Sequence, residues 1–145
     1  VDQCEEKLGR PHAACHTADT PLPGGDFGGT LESLAHPLGL RGLPVHTSER
    51  LARLYGSEAD SVAADGGDAA AEARRAVLHE GALTLEDYWV RRSTRARFDT
   101  QGGLDALAPA AGAMSKLLGW NDAEAEGQIA ACRELRRMEM SPLHR

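Results

Sequence analysis

The 145-residue chain contains few aromatic side chains and few basic ones. Phe, Trp and Tyr together account for 4% of the residues, so a hydrophobic core has to rest mainly on Leu, Ala, Val and Met. The 16 Lys and Arg are outnumbered by 22 Asp and Glu, which gives a formal net charge of −6. A chain with this charge repels polyphosphates at long range, so nucleic acid is not an expected partner.

The sequence also lacks a long apolar run and a secretion signal. No segment approaches the ~20 apolar residues that a membrane-spanning helix needs. Cys4, Cys15 and Cys132 are odd in number and irregularly spaced, which favours a reducing compartment over a disulfide-stapled fold. We therefore expect a cytoplasmic protein. The chain opens on Val1 and residues 1–8 resemble the end of a longer element, so we expect a piece of a longer protein.

Strands are not expected, because the chain has one isoleucine and no segment of clean apolar–polar alternation. Residues 9–29 hold three prolines and five glycines, a composition typical of irregular surface backbone. The helical periodicity that follows predicts an all-α fold, a compact bundle of five or six short helices. We divide the chain into an irregular connection over residues 1–29 and a helical domain over residues 30–145.

Capping residues and helix breakers predict where the helices begin and end. The expected N-caps or first residues are Thr30, Thr47 or Ser48, Ser57, Asp68, Thr84, Asp105 and Asn121. The expected ends are Pro37, Gly56, Gly66, Gly81, Phe98, Gly119 and Met138. Three of the N-caps, Ser57, Thr84 and Asn121, are followed three residues later by an acidic residue, which is the spacing of a capping box.

Arginines cluster towards the end of the helix that begins at Thr84. Arg91, Arg92, Arg95 and Arg97 are spaced so that two or three guanidinium groups could converge on a carboxylate or a phosphate. If they face outward, a partner surface suits them better than a small anion. The alternative is that they pair with acids close by in the sequence. Those acids are Glu86, Asp87 and Asp99. The buried stripe expected on the same helix is Leu85, Tyr88 and Trp89.

The groupings that could carry chemistry are incomplete. His12, Cys15 and His16 offer metal-binding side chains, but a structural zinc site needs four ligands and no second pair lies nearby. His79 and Glu80 suggest a general base with its orienting carboxylate, yet adjacent helical residues point in different directions. Nucleotide-binding, phosphate-binding, zincin and nucleophile-elbow motifs are all missing. We therefore expect no catalytic, cofactor-binding or metal-binding residue in this chain.

Four motifs follow one another along the chain. They are Pro21-Leu22-Pro23-Gly24-Gly25, the Leu-x-x-x-Tyr-Gly-Ser within residues 48–57, the His-Glu and Leu-x-Asp-aromatic-x-x-Arg-Arg within residues 71–93, and Leu117-Leu118-Gly119-Trp120. In this order they resemble the C-terminal cap domain of FAD-dependent glycerol-3-phosphate dehydrogenases, the alpha-glycerophosphate oxidase C-terminal-like family. The resemblance spans nearly the whole chain.

The resemblance implies a parent enzyme that oxidises sn-glycerol 3-phosphate to dihydroxyacetone phosphate by hydride transfer to FAD. Electrons would pass to a quinone, with the parent peripheral on the inner face of the cell membrane. FAD and the substrate-binding residues would belong to an upstream flavin domain, the expected partner of this non-catalytic chain. The candidate interdomain contact is Trp89 as an aromatic anchor, with Arg91, Arg92 and Arg95 as its charged rim.

Two other functions stay open. A free-standing helical protein-interaction module would have a start codon directly before Val1. A small metalloprotein would use His12, Cys15 and His16, and elemental analysis would detect its metal.

Overall fold

The computed structural model describes residues 2–10 and 16–141, and these residues contain no β-strand. The α-helices are α1 (Asp2–Lys7), α2 (Leu31–Leu40), α3 (Val45–Tyr55), α4 (Ala59–Ala64), α5 (Ala69–Glu80), α6 (Arg95–Phe98), α7 (Leu107–Leu118) and α8 (Asp122–Met140). A π-helix covers Asp87–Arg92, and 3₁₀ turns cover Gly56–Glu58, Thr100–Gly102 and Leu104–Ala106. Five of the α-helices have ten residues or more, which confirms the predicted all-α bundle.

Helix α5 lies at the centre of the fold, and two of its faces are buried, one in each of two hydrophobic cores. Ala71 packs in a small core with α2, α3 and α4, where Leu38 and Leu51 are the main side chains. Ala73 and Ala76 face a larger core that includes the π-helix, α7 and α8. Small side chains on α5 let helices approach it closely from both sides.

The predicted ends of α5 and the predicted start of α8 are confirmed. Asp68 accepts a hydrogen bond from the Ala71 amide at 2.8 Å, and Gly81 closes α5 with a left-handed φ of 70°. Asn121 and Glu124 form the expected capping box, with amide-to-oxygen distances of 2.8 and 3.0 Å. The local sequence predicts these helix ends because the capping residues at each end bond the free backbone groups of that end.

Two predicted boundaries in α2 and α3 are wrong. Helix α2 continues through Pro37, because burying Leu38 against α3 outweighs the one hydrogen bond that proline removes. Helix α3 begins directly after Pro44, whose extended backbone makes it the N-cap residue, and not at Thr47 or Ser48. Ser48 is instead buried inside the helix.

The prediction of a single helix from Thr84 to Phe98 is also wrong for the second half of that segment. The capping box between Thr84 and Asp87 forms as predicted. The chain then winds into the π-helix, and Thr94 breaks it with a left-handed φ of 57°. Only the four residues of α6 follow. Long-range contacts to this turn, described below, account for the break.

The two C-terminal helices lie close to their predicted positions. Helix α7 begins at Leu107, after a 3₁₀ turn that contains the predicted start at Asp105. Pro109 falls in its first turn, where a missing amide removes no hydrogen bond. Helix α8 ends at Met140, two residues beyond the predicted Met138. None of the described helices combines the length and the apolar character required to cross a bilayer.

The segment before α2 is held against the end of α3. Gly24 is buried, and its carbonyl accepts a hydrogen bond from the Ser57 amide at 3.0 Å. The Ser57 hydroxyl donates to the Asp26 carboxylate, so the predicted capping box with Asp60 does not form. The two backbones approach so closely that a Cβ on Gly56 would overlap the Gly24 oxygen. Gly24 and Asp26 of the predicted irregular connection are therefore held against the end of α3, and Asp2–Lys7 of the same connection form the short helix α1.

Candidate functional site

The arginines predicted to face a partner are largely occupied by acids of this chain. Arg91 donates to Glu86 at 2.7 Å and to Asp87 at 2.8 Å, which is the pairing with local acids considered above. Arg95 is likewise paired, and its partners are described below. Arg92 is exposed and has no ion-pair partner within residues 2–10 and 16–141. Arg91 and Arg92 are thus the two exposed members of the predicted contact.

Trp89 cannot be the exposed aromatic anchor, because its side chain is completely buried. The ring lies in the larger core, and Nε1 donates to the Gly102 carbonyl at 2.8 Å. Trp89 therefore supports the arginine-bearing π-helix from inside the domain. The exposed aromatic of this region is Phe98, at 83% exposure, which the sequence reasoning did not single out.

A buried carboxylate with two arginines occupies the middle of the domain. Glu72 on α5 is completely buried, and Arg50 on α3 donates to both of its oxygens, at 2.5 and 2.9 Å. Arg95 donates from Nη2 to Glu72 at 2.8 Å and from Nη1 to Asp99 at 2.6 Å. Two carboxylates and two guanidinium groups make this group neutral overall. We call Arg50, Glu72, Arg95 and Asp99 the Glu72 cluster.

The sequence reasoning missed Glu72, although a signal was present. Ala69, Glu72, Ala73 and Ala76 recur at i, i+3, i+4 and i+7, so a carboxylate stands on the buried face of the helix. A buried carboxylate requires a partner of opposite charge. Its main partner, Arg50, is 22 residues away, and no local spacing reveals that contact.

The Glu72 cluster also holds the strained turn after the π-helix. Arg50 Nη2 donates to the Ser93 carbonyl at 2.9 Å, directly before Thr94. A left-handed backbone is unfavourable for a β-branched residue, and π-helices are rare, so both conformations depend on surrounding contacts. The cluster therefore joins α3, α5 and the turn that leads into α6.

The Glu72 cluster and the neighbouring Tyr88 are unsuited to proton transfer. Burial, and then the charge of Glu72, raise the pKa of Tyr88 well above its ordinary value. Burial alone would lower the pKa of Arg95, but the adjacent Glu72 carboxylate and further contacts raise it overall. Tyr88 thus stays a neutral phenol and Arg95 a cation at neutral pH. Both Glu72 oxygens already accept hydrogen bonds, which suits a structural role rather than acid–base catalysis.

The Thr84–Asp87 capping box gives a prediction about pH. Partial burial would raise the pKa of Asp87, but hydrogen bonds from the Thr84 hydroxyl and from the Leu83 and Thr84 amides, with the charge of Arg91, hold it below its usual value. Its stabilising effect is therefore fully present above the unfolded pKa of about 3.9 and is lost as the pH falls through the lower folded value. Asp87→Asn should lower the free energy of unfolding by about 1 kcal/mol at pH 7.

Urea unfolding of Asp87→Asn and of the unsubstituted chain, measured across acidic pH, checks this prediction. The difference between their free energies of unfolding should disappear below about pH 4. Glu86→Gln is the matched control, because Glu86 contacts the same arginine without capping the helix. If the difference in free energy of unfolding stayed constant down to the lowest pH measured, the role of the Asp87 charge would be contradicted.

The other sequence candidates form no site among the residues that the structure describes. His12 and Cys15 lie outside the described residues, so a metal site with His16 stays untested. Across the part of the chain that the structure describes, no three potential ligands are grouped around one point. Glu80 accepts a hydrogen bond from Arg75 at 3.1 Å, while His79 is exposed, so these two do not form a base and its orienting partner.

Comparison with known proteins agrees with the four motifs. The family model for the C-terminal domain of alpha-glycerophosphate oxidase matches residues 15–125, more than three quarters of the chain. The chain belongs to this family. No curated protein matches it significantly. As a member of the alpha-glycerophosphate oxidase C-terminal family, it is a helical C-terminal domain of the kind found in FAD-dependent oxidoreductases.

The stretches that hold three of the four motifs of this family member contact one another. Gly24 of the first motif packs on Gly56 of the second. Arg50, within residues 48–57, binds Glu72 and the Ser93 carbonyl, both within residues 71–93. These stretches thus join segments that are distant in the sequence.

The described residues of this alpha-glycerophosphate oxidase C-terminal domain do not fit FAD. Dinucleotide sites place the pyrophosphate at a glycine-rich turn between a strand and a helix, and the described residues form no strand. A surface groove of about 390 Å³ lies between α2 and α3, but Glu32 and Glu49 at its edge would repel a pyrophosphate. No chemical step through a flavin is assigned to these residues.

Proposed function

We propose that the chain is the non-catalytic C-terminal cap of an enzyme that oxidises sn-glycerol 3-phosphate to dihydroxyacetone phosphate with FAD. The family match supports this parent. The observation that carries the non-catalytic role is the Glu72 cluster, because its buried ionic groups neutralise one another and leave none available to a substrate. In this proposal, the FAD and the substrate-binding residues belong to the upstream flavin domain.

The cap would bind that flavin domain through the end of the π-helix. Arg91 and Arg92 are exposed there, and arginine is a frequent contributor to binding energy at interfaces. Trp89 and Arg95 lie behind them and act as positioning residues. The parent would work at the inner face of the membrane and pass its electrons to a quinone.

Incubation of the purified chain with FAD, followed by desalting, tests this proposal. The chain should emerge colourless, leave the fluorescence of free FAD unchanged, and show no turnover of sn-glycerol 3-phosphate with a dye as electron acceptor. The full-length parent, prepared in the same way, should be yellow. Retention of one FAD for each copy of the chain would contradict the proposal that FAD binds the upstream flavin domain and not this chain.

A further inference from the structure

The π-helix changes which residues of its segment face the core. The residues that would share one face of a regular α-helix, at i, i+3, i+4, i+7 and i+11, are Leu85, Tyr88, Trp89, Arg92 and Ala96. Four of these side chains are buried in the larger core, but Arg92 is exposed. A regular α-helix on the same core would turn the guanidinium group of Arg92 inward, at a high cost in desolvation.

Ser93 occupies the inward position that a regular α-helix would give to Arg92. Ser93 is 1% exposed, and its amide donates to the Tyr88 carbonyl, five residues back, at 2.8 Å. This is the hydrogen-bond spacing of a π-helix, one residue longer than that of an α-helix. The Ser93 hydroxyl donates to the Trp89 carbonyl at 3.3 Å, so its polar group has a partner inside the domain. The extra residue leaves both Arg91 and Arg92 exposed.

Arg92 is the arginine of this pair that local acids do not neutralise. Arg91 donates to Glu86 and to Asp87, whereas no acid of the described residues pairs with Arg92. A phosphate dianion beside Arg92 would also meet these two neighbouring carboxylates, which disfavours it. A single carboxylate suits one free guanidinium group, because the two can form parallel hydrogen bonds.

We propose that the π-helix presents Arg92 to the upstream flavin domain, where the guanidinium group pairs with a carboxylate of that domain. The identity of this partner rests on the proposed function, whereas the change of inward residue concerns the present chain alone. π-helices are rare and occur frequently at functional sites, and Thr94, which follows, has a strained φ of 57°. An exposed arginine without a local partner is what this unusual backbone provides and a regular α-helix would not.

Deletion of one arginine of the pair Arg91 and Arg92 tests the role of the extra residue. Deletion of either gives the same sequence, and the remaining arginine still follows Asp87 by four residues. The shortened segment should form a regular α-helix that keeps Trp89 and Ser93 inward. The fluorescence emission of the buried tryptophan should therefore stay unshifted, and thermal unfolding should stay cooperative, with a midpoint within about 5 °C of that of the intact chain.

The adjacent pair Arg74 and Arg75 in α5 provides the matched control. Deletion of one of these arginines from a regular α-helix turns Ala76 by about 100° relative to Glu72 and Ala73, with which it is buried. The thermal midpoint should fall by about 10 °C or more. Arg74→Ala, which deletes no residue, should lower it far less. A loss in the π-helix deletion as large as in the α5 deletion would overturn the proposed role of the extra residue.

Charge substitutions in the full-length parent test the carboxylate partner. Arg92→Glu should raise the amide exchange rates of residues 85–93 about tenfold more in the parent than in the 145-residue chain alone, because only the parent would bring like charges together at the domain contact. Arg92→Lys keeps the charge and should raise these rates less. The measurements on the chain alone give the effect of each substitution within the domain.

A photo-crosslink identifies the partner residue. p-Benzoylphenylalanine in place of Arg92 in the full-length parent should crosslink to an upstream peptide that contains Asp or Glu, which mass spectrometry identifies. Absence of a crosslink to the upstream domain, crosslinks to a second copy only, or equal exchange rates for Arg92→Glu and Arg92→Lys would overturn the proposal. A parent that carries no flavin would instead contradict the proposed function, and it would leave the result of the deletions standing.

Discussion

Replacement of Glu72 by alanine is expected to lower the free energy of unfolding by about 3–5 kcal/mol. The carboxylate is completely buried and accepts hydrogen bonds from both Arg50 and Arg95. Its removal leaves two largely buried guanidinium groups with only Asp99 to balance them. The left-handed turn at Thr94 would lose support at the same time, because Arg50 also holds the Ser93 carbonyl. Urea unfolding followed by circular dichroism measures the loss.

Two controls separate a charge effect from a general loss of contacts. Arg91→Ala breaks two surface ion pairs, with Glu86 and Asp87, and should lower the free energy of unfolding by only about 0.2–1 kcal/mol for each pair. The triple variant Arg50→Met, Glu72→Leu and Arg95→Met removes three of the four charges and leaves only the partly exposed Asp99, and it should recover much of the stability that Glu72→Ala loses. A loss below about 1 kcal/mol in Glu72→Ala would contradict the structural role assigned to the cluster.

Substitution of Gly56 by alanine is the second change with a large expected effect. Gly56 has a φ of 56°, and its Cβ would overlap the backbone oxygen of Gly24, which cannot move as a flexible side chain would. Backbone strain at a φ of 56° and a ψ of −130°, about 1–3 kcal/mol, and steric overlap of about 1–3 kcal/mol should together lower the free energy of unfolding by about 2–6 kcal/mol. Alternatively, the overlap is relieved by release of residues 16–29 from the end of α3, which limited proteolysis would detect.

Gly81→Ala is the matched control for Gly56→Ala. Gly81 also has a positive φ, of 70°, although its ψ of 28° places it in the left-handed helical region, and a Cβ there would have no atom within 4 Å. This variant measures the cost of a positive φ without steric overlap, and it should lower the free energy of unfolding by about 1–2 kcal/mol without exposing residues 16–29 to protease. Equal losses in the two variants, with residues 16–29 protected in both, would show that the contact between Gly24 and Gly56 has little energetic importance.

Sequence reasoning succeeded where the decisive interactions are local. The caps at Asp68 and Asn121 and the left-handed end at Gly81 each involve residues within one turn of each other. It failed where contacts between distant segments decide the conformation. Helix α2 passes through Pro37 because Leu38 is buried against α3.

The candidate site illustrates the same division. The pairing of Arg91 with its neighbouring acids was among the alternatives that the spacing left open, because those acids lie within five residues. The Glu72 cluster was not predicted, since it joins segments 22 and 23 residues apart. Trp89 is buried, as its place on the predicted apolar stripe indicated. A completely buried side chain cannot contact another domain, so the contact that the sequence also suggested for Trp89 is excluded.

The most direct test of the proposed cap is anaerobic mixing of the full-length parent with sn-glycerol 3-phosphate while flavin absorbance is recorded. The account predicts that the parent carries FAD, that this substrate reduces it, and that the 145-residue chain mixed with free FAD and the same substrate shows no reduction. A parent without flavin, or flavin reduced by this chain alone, would contradict the account.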